Sequence, residues 1–481
     1  MLQRNWHYLL LLFLLFDFGY SFWHYLQFPL DGDLAPVVWP SEPYTPVLHD
    51  PFGLGPLLRQ ERYPAPNRFF AHYFLFAYFR HVPLWLHPVL SPLNSLYAAC
   101  ALLKLAVHGL LVYVLAVAIS NQRNVLSPGF LLAAALVAPL FQTAGFNSQM
   151  GVVDASITYT GFYALSMSLL LLFFLPFLRA ALHGEPLRVS WLSYVGLLGL
   201  AVVLAFHGTA ASSTGLVVCP AVLLLSWYRA FSLLPANGSV LTRSRQALGQ
   251  LPRPLLVFGL FSAFCLYSMY VGLYNLENDW STLPIAQRYG RLPLGVYYQL
   301  TGKLGFPMLL VLLLSSAYLI SRQPRTPAST RVRTALKWAA LFALAYVLLL
   351  PLGGYRAYRE YILRRDSILP VTLVLIGCFG LTAHYLLTHL PKPARWRYAA
   401  LVGVGLGIFT FTDRYKSSQG NACERDLFAR LAQSPAPIVQ LPATCTMMDW
   451  QPLTDYRKSE LNGWMLHYWG ITKTPKLYYQ Q

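Results

Sequence analysis

The sequence predicts an all-α, multi-pass integral membrane protein, and three observations support that fold class. Hydrophobic residues make up 56% of the 481 residues. Charged residues make up only 11%, less than half of the share of about 25% that is typical of soluble domains. The basic residues behind the net charge of +18 are grouped between long apolar runs. This composition excludes a soluble enzyme and a disordered chain, and the grouping indicates membrane topology rather than nucleic-acid binding.

Long apolar runs recur from the first residues to about position 412. A helix needs roughly 20 mostly apolar residues to cross about 30 Å of hydrocarbon, and about eleven runs approach that length. They lie near 7–28, 93–120, 129–145, 161–180, 190–206, 214–229, 254–275, 304–321, 336–353, 367–390 and 397–412. The first run follows only one basic residue, Arg4, and no A-x-A-like cleavage site succeeds it, so we predict a retained helix.

The distribution of charges predicts the side of the membrane on which each loop lies. With a cytoplasmic N-terminus, the inside segments carry many basic residues and a single acid, Glu185. The other acids lie outside, apart from Asp17 in the first helix, for which Lys104 in the second helix is the predicted partner. This asymmetry follows the positive-inside rule. The predicted parts are a first transmembrane helix (1–28), an outer loop (29–92), a transmembrane bundle (93–412) and a small outer C-terminal tail (413–481).

Six cysteines in a chain of this length do not make a disulfide scaffold. Cys423 and Cys445 lie in the predicted outer tail, where an oxidising compartment allows a disulfide between them. In a reducing compartment the same pair stays as free thiols. The other four lie in apolar runs and are predicted to be small core residues.

The outer loop contains a segment, 67–82, that is rich in aromatic residues and has Arg68 and Arg80 near its ends. Aromatic residues at near-helical spacing with few charges predict a helix that lies in the membrane interface. The alternative is a short helix packed on the bundle. Prolines on both sides of the segment favour the interfacial helix.

Asp31 and Asp33, separated by Gly32, follow the first helix directly. Two carboxylates one residue apart can chelate a divalent ion, or one of them can serve as a general base. The alternative is an exposed turn in which each aspartate caps the local backbone. The pattern therefore makes Asp31 and Asp33 the candidate catalytic residues.

Three other polar residues are candidates for a supporting role. His49 and Asp50 lie in the same outer loop, and the loop has to fold back to bring them to Asp31. Asp154 is the only charged residue between Arg123 and Arg179, and it lies close to the membrane, where an ionisable residue is costly. The alternative for all three is an ordinary position in a polar loop.

A short outer loop carries the candidate anion-binding residues Arg356, Arg359, Arg364 and Arg365. Their position opposes the positive-inside trend, which favours a functional explanation. Guanidinium groups make bidentate contacts with phosphate, so these arginines are predicted to bind the phosphate of a lipid carrier. Ordinary anionic head groups are an alternative ligand for the same residues.

The sequence contains no P-loop, no G-x-S-x-G motif and no H-E-x-x-H motif. The inside loops are too small for a cytoplasmic catalytic domain, so any chemistry is predicted on the outside or within the bundle. No tight cluster of histidine and aspartate residues requires a metal. No cofactor is therefore predicted with certainty, and a divalent metal ion is optional.

The order of these features resembles the type C glycosyltransferases, which are multi-spanning enzymes that use polyprenyl-phosphate sugars. The pair Asp31 and Asp33 stands at the place of that family's early acidic motif, although the family often has two adjacent acids. The segment 67–82 resembles a juxtamembrane helix of the family. The segment 355–376, an Arg/Tyr-rich loop end that leads into a proline-containing helix, resembles its late region. The resemblance covers the helix order over most of 1–412.

The resemblance implies a glycosyltransferase that moves a hexosyl or pentosyl group from a polyprenyl-phosphate donor to an envelope glycan, lipid or protein. The reaction is expected on the outer face of a bacterial inner membrane, with the N-terminus cytoplasmic and the tail periplasmic or extracellular. One of Asp31 and Asp33 then takes a proton from the acceptor, and the late arginines bind the lipid phosphate. Membrane lipids are the other expected partners, and nucleic acid is not.

Two other functions are compatible with the sequence. A transporter or flippase of a lipid-linked or anionic substrate is expected to show repeated halves and charges near the midplane. The sequence has no visible internal repeat, and its charges gather at the outer rim, which favours the enzyme. A non-catalytic envelope assembly protein is the third hypothesis, in which the tail binds a partner and the acidic pair tolerates substitution.

Overall fold

The computed structural model describes residues 6–141, 150–235, 239–278, 283–353, 359, 361–412 and 420–481. Within these ranges the regular structure is predominantly helical, with one two-stranded sheet in the tail. Among the described residues, seven helices are long and apolar enough to cross a membrane. The prediction of an all-α, multi-pass membrane protein is therefore confirmed.

The α-helices are numbered in chain order. They are α1 (Trp6–Tyr25), α2 (Leu34–Val38), α3 (Thr45–His49), α4 (Leu54–Arg59), α5 (Phe69–Leu86), α6 (Pro92–Ser120), α7 (Pro128–Val137), α8 (Ile157–Tyr159), α9 (Ser166–His183), α10 (Trp191–Ala205), α11 (Thr209–Leu233), α12 (Val240–Gly249), α13 (Leu256–Val271), α14 (Ile285–Gly290), α15 (Leu292–Thr301), α16 (Gly305–Ser321), α17 (Pro327–Leu349), α18 (Leu369–His389), α19 (Lys392–Thr412), α20 (Ala422–Gln433) and α21 (Glu460–Tyr468). The strands are β1 (Ile438–Leu441) and β2 (Leu477–Gln480).

Seven of these segments meet the length and composition of a membrane span. They are Trp6–Tyr25, Pro92–Ser120, Ile157–His183, Thr209–Leu233, Arg253–Tyr274, Pro327–Gly353 and Leu369–His389. A bent pair of segments, Ile285–Thr301 and Gly305–Ser321, meets at an angle of 83°. If this pair forms one broken span, the count rises to eight.

Three further helices coincide with runs that the sequence predicted to span. Pro128–Phe141 and Trp191–Ala205 are apolar but short. The 15 residues of α10 extend about 22 Å at 1.5 Å per residue, which is less than the hydrocarbon thickness of about 30 Å. Helix α19 is longer, but it begins with Lys392, Arg395 and Arg397. The total of eleven spans therefore stays a prediction.

Helix α6 lies at the centre of the bundle, where it packs against α1, α5, α7, α9 and α18. It is buried along most of its length, which explains why its sequence is apolar on every side. Its buried Lys104 donates to the backbone carbonyl of Ala155 and lies 4.5 Å from the ring centroid of Phe28. The acids whose charges act on Lys104 are Asp154 and Asp31, and among the described residues Lys104 forms no ion pair with Asp17, so the predicted pairing is wrong.

Helix α5 confirms the helix predicted in the aromatic segment, but its surroundings differ from the predicted interfacial ones. One face packs against α2 and α6 and buries Leu75 and Phe79 completely. The opposite face leaves Tyr73 and Trp85 exposed. The helix therefore packs on the bundle through one face and keeps only the other available to lipid or water.

The tail is a small folded unit that packs on the first loop. Strands β1 and β2 are parallel, with Ile438 opposite Leu477, and α20 and α21 cover them. Cys423 and Cys445 form a disulfide with a Cα–Cα distance of 6.2 Å. The four remaining cysteines are buried and free, as their apolar surroundings predicted.

Candidate functional site

Asp31 is buried and serves as a hydrogen-bond acceptor for a distant loop. One carboxylate oxygen accepts from the Ser156 hydroxyl at 2.8 Å and from the Thr158 backbone N–H at 3.0 Å. The other accepts from the Thr158 hydroxyl at 2.8 Å and from the Asp33 backbone N–H at 3.1 Å. Four donors fix this carboxylate, so its role is to join the acidic turn to the start of α8.

Asp154 stabilises the same contact between the acidic turn and the start of α8. Its carboxylate accepts from the Ser156 backbone N–H and forms a 2.8 Å ion pair with Arg365. Burial raises the pKa of Asp154, and the Arg365 guanidinium opposes that shift. Asp154, predicted as a supporting residue, therefore pairs with Arg365, which was predicted to bind phosphate.

Asp33 lies on the opposite side of the turn and lines a cavity. One of its carboxylate oxygens accepts from the indole N–H of Trp450 at 3.0 Å. Gly32 packs against the tail so closely that an added Cβ would lie 2.7 Å from Trp450 Cδ1 and 2.8 Å from its backbone nitrogen. This contact explains why a glycine separates the two acids and why they face different surroundings.

The cavity beside Asp33, the acidic chamber, has a volume of about 400 Å³. Its polar wall carries acids, two arginines and hydrogen-bonding rings. These residues are Asp33, Tyr44, Arg68, His72, Glu277, Arg359 and Trp450. Aromatic rings of the α8–α9 region complete the wall: Tyr159, Phe162 and Tyr163. Mixed acidic and aromatic walls suit a polyhydroxylated ligand, which offers hydroxyl groups and apolar ring faces.

A second cavity, the apolar chamber, has a volume of about 350 Å³ and shares Arg68, Tyr163 and Arg359 with the acidic chamber. Its apolar wall comes from α11, α13 and the end of α17. These residues are Leu216, Val217, Met269, Leu349, Leu350 and Leu352. Leu349 and Leu352 are about half exposed, at 47% and 51%. The apolar chamber therefore reaches the exposed surface at the end of α17.

The arginines around the two chambers differ in their partners. Arg364 and Arg359 contact Asp366 at 3.1 and 3.3 Å, and all three line the apolar chamber. Arg68 lines both chambers, and its guanidinium makes no ion pair within the part of the chain that the structure describes. The predicted Arg356 lies outside the described residues. In the sequence, Arg68 only marks one end of the aromatic segment, and no pattern indicates a place in the site.

His49 and Asp50 lie away from both chambers. The Asp50 carboxylate accepts from the backbone N–H groups of Leu54 and Gly55 at the start of α4, and from the Tyr63 hydroxyl at 2.8 Å. It therefore caps a short helix. His49 ends α3 and lines neither chamber.

The acidic chamber also contains three residues that the sequence did not predict as site residues: Tyr44, His72 and Glu277. The Tyr44 hydroxyl donates to Glu277 at 2.7 Å across 233 positions, a separation that no local motif reveals. Burial, with a smaller effect of Arg68, lowers the pKa of His72 to about 3, so its ring is neutral. Among the described residues, no group of three histidine, cysteine, aspartate or glutamate side chains is placed to hold a metal ion.

A buried glutamate of the tail, Glu424, connects the tail to the rest of the site. One Glu424 oxygen accepts from the Tyr97 hydroxyl at 2.5 Å and from the Leu30 backbone N–H at 3.0 Å. The other accepts from the Met448 backbone N–H at 3.2 Å. Glu424 thus connects α6, the chain entering the acidic turn and the segment that carries Trp450.

The contacts of Glu424 predict that tail docking depends on pH. Burial raises its pKa from the ordinary 4.5 to about 7, although its three donors oppose the shift. The folded state therefore binds the proton more tightly than the unfolded state between those values. Docking is strongest below about pH 4.5 and weakens, by up to about 3 kcal/mol, as the pH rises through 7.

Hydrogen–deuterium exchange of α20, corrected for intrinsic rates, measures this dependence. We expect α20 amides to be better protected at pH 5.5 than at pH 8 in the native chain, and Glu424→Gln to remove the difference. Glu460→Gln, at an exposed glutamate of the tail, is the matched control and should behave like the native chain. Equal protection at both pH values in the native chain would contradict the prediction.

The fold and the two neighbouring chambers together define a multi-pass membrane protein with a polar cavity beside an apolar one. No protein-family model matches the chain, and comparison with curated proteins finds no significant match.

Proposed function

We propose that the protein is a membrane glycosyltransferase that moves a sugar from a polyprenyl-phosphate donor to an envelope glycan, lipid or protein. The observation that carries the proposal is that the two chambers are neighbours and share Arg68, Tyr163 and Arg359 in their walls. A polyprenyl-phosphate sugar has an apolar chain, an anionic centre and a polyhydroxylated ring in that order. The cavities offer an apolar wall, two arginines and an acidic, aromatic wall in the same order.

The donor lipid is placed in the apolar chamber, with its phosphate at the junction. The chain enters past Leu349 and Leu352, which lie at the surface that α17 presents to lipid. Arg68 and Arg359 face the phosphate, and Arg364 supports them through Asp366. Preorganised guanidinium groups stabilise the negative charge that develops on the phosphate as it leaves.

Asp33 is the proposed general base. The acceptor hydroxyl gives its proton to the Asp33 carboxylate as its oxygen attacks the anomeric carbon, and the lipid phosphate leaves with the electrons of the broken bond. Asp31 is not suited to this step, because it is buried and already accepts four hydrogen bonds. In this mechanism Asp33 therefore accepts the proton, and Asp31 holds the acidic turn in place.

The proposal places the acidic turn and the tail on the outer face of a bacterial inner membrane, with the N-terminus cytoplasmic and about eleven spans. The disulfide between Cys423 and Cys445 supports an oxidising compartment for the tail. In such a compartment ATP and nucleotide sugars are absent, and a lipid-linked donor supplies the activated sugar.

Deleting the gene and profiling surface glycans and lipid-linked sugars by mass spectrometry tests the function directly. We expect one glycan, lipid or protein to lose a sugar and the corresponding polyprenyl-phosphate sugar to accumulate. The native chain should restore the profile. An unchanged glycan and lipid profile after deletion would overturn the proposal in favour of transport or assembly.

Arg68→Ala tests the proposed phosphate contact. With purified protein in nanodiscs and radiolabelled polyprenyl-phosphate hexoses and pentoses, we expect kcat/KM for the donor to fall at least tenfold. The cause is the loss of a cation at the junction, and Arg68→Lys should restore part of the rate. Arg62→Ala, at an exposed arginine of the same loop that lines neither chamber, should match the native chain. Equal kinetics for Arg68→Ala and Arg62→Ala would remove Arg68 from the site.

A further inference from the structure

Trp450 is the one residue of the described tail that lines the acidic chamber. Its indole N–H donates to Asp33 at 3.0 Å, although the two residues are 417 positions apart. Its ring centroid lies 6.0 Å from that of Tyr159 at an interplanar angle of 47°, so the two rings form adjoining walls. Trp450 is 53% exposed, so one part of the residue faces the chamber and another part faces the surroundings.

The backbone that carries Trp450 is held from several directions. Just before it, the Met448 N–H donates to Glu424 and the Met448 carbonyl accepts from the Asn462 side chain at 3.3 Å. The disulfide at Cys445 closes the loop on α20. The Trp450 backbone also packs directly on Gly32. The indole is therefore presented to Asp33 by a fixed support.

We propose that Trp450 is a positioning residue that orients the Asp33 carboxylate for proton transfer, so that the tail is part of the active site. The inference rests on the proposed function, since it concerns the base of that reaction. The Asp33 carboxylate accepts from the Trp450 N–H at 3.0 Å, and this donor restrains the rotation of the carboxylate. The N–H also favours the charged carboxylate, which is the form that accepts a proton. No other segment of the described tail reaches Asp33 within the acidic chamber.

Trp450→Phe tests the inference because it keeps an aromatic ring and removes the N–H donor. In the nanodisc assay with polyprenyl-phosphate hexoses and pentoses, we expect kcat to fall about tenfold to a hundredfold with little change in donor KM. The acidic limb of the pH–rate profile should move to higher pH, because the carboxylate loses a donor that favours its charged form. Trp464→Phe, at an exposed tryptophan of the same tail, is the matched control.

A variant with 3-benzothienylalanine at position 450 separates the hydrogen bond from the fold, because sulfur replaces the N–H in a ring of nearly the same shape. We expect the same loss of kcat and the same shift of the acidic limb as for Trp450→Phe. Native kcat and a native pH profile in this variant would overturn the inference. If Asp33→Asn is inactive at the same time, the proposed function survives that result. If Asp33→Asn keeps native activity, the proposed base itself is wrong.

Discussion

Replacing Asp33 with asparagine is expected to lower sugar transfer at least a hundredfold while the amount of folded protein stays unchanged. General bases contribute about 10²- to 10⁴-fold, and an amide cannot accept the proton of the acceptor hydroxyl. The fold tolerates the change because an asparagine carbonyl oxygen still accepts from the Trp450 N–H. Donor KM should change little, since Asp33 lines the acidic chamber rather than the apolar one.

The measurement is complementation of a deletion strain, followed by kinetics of the purified variant with polyprenyl-phosphate hexoses and pentoses. Membrane levels and the Cys423–Cys445 disulfide serve as evidence of folding. Asp426→Asn is the matched control, because Asp426 is an exposed aspartate of the tail whose ion-pair partner is Arg430. Full complementation by Asp33→Asn at normal levels would exclude Asp33 as the base.

Asp31→Asn is expected to fail for a different reason, through loss of folded protein. Each Asp31 oxygen accepts one backbone N–H, from Asp33 on one side and from Thr158 on the other. Whichever way an asparagine amide turns, its NH₂ group faces one of these fixed donors. The two hydroxyl donors can rotate, but the backbone cannot. A mispaired buried donor costs about 1–3 kcal/mol, to which the lost charge-assisted bonds add.

Thermal unfolding in detergent and the yield of membrane-inserted protein measure this effect. Asp31→Asn should melt several degrees below the native chain, and Asp33→Asn should melt close to it. The informative result is the difference in melting temperature between the two variants. A stable but inactive Asp31→Asn protein would move the catalytic role from Asp33 to Asp31.

The helices of the membrane part could be predicted from the sequence because their signal is local. A run of apolar residues determines a span without reference to the rest of the chain. The position of a boundary is less local: Pro128–Phe141 and Trp191–Ala205 look like spans in composition and form short helices. Helix α5 was predicted as a helix from its aromatic spacing, but its burial against α6 depends on a partner that its own sequence does not specify.

The candidate site shows the opposite case. The sequence identified Asp31 and Asp33 as candidate bases but could not distinguish them. Only their contacts differ: Asp31 contacts Ser156 and Thr158, and Asp33 contacts Trp450. Those partners are 125, 127 and 417 positions away. Likewise, the arginine-rich loop was visible as a cluster, whereas the pairing of Arg365 with Asp154 required the folded chain. Residue types in the sequence therefore indicate which side chains are candidates for a site. The separate role of each side chain depends on contacts that only the folded chain makes.

The contact between Leu30 and Glu424 joins residues 394 positions apart, and this separation has a consequence for biosynthesis. Ribosomes add about 5–20 residues per second, so roughly 20–80 s pass between the synthesis of the two partners. During that interval the nascent acidic turn lacks the wall that contains Trp450. A translation product that stalls before the tail therefore contains the candidate membrane spans but lacks Trp450 and the wall that this residue gives to the acidic chamber.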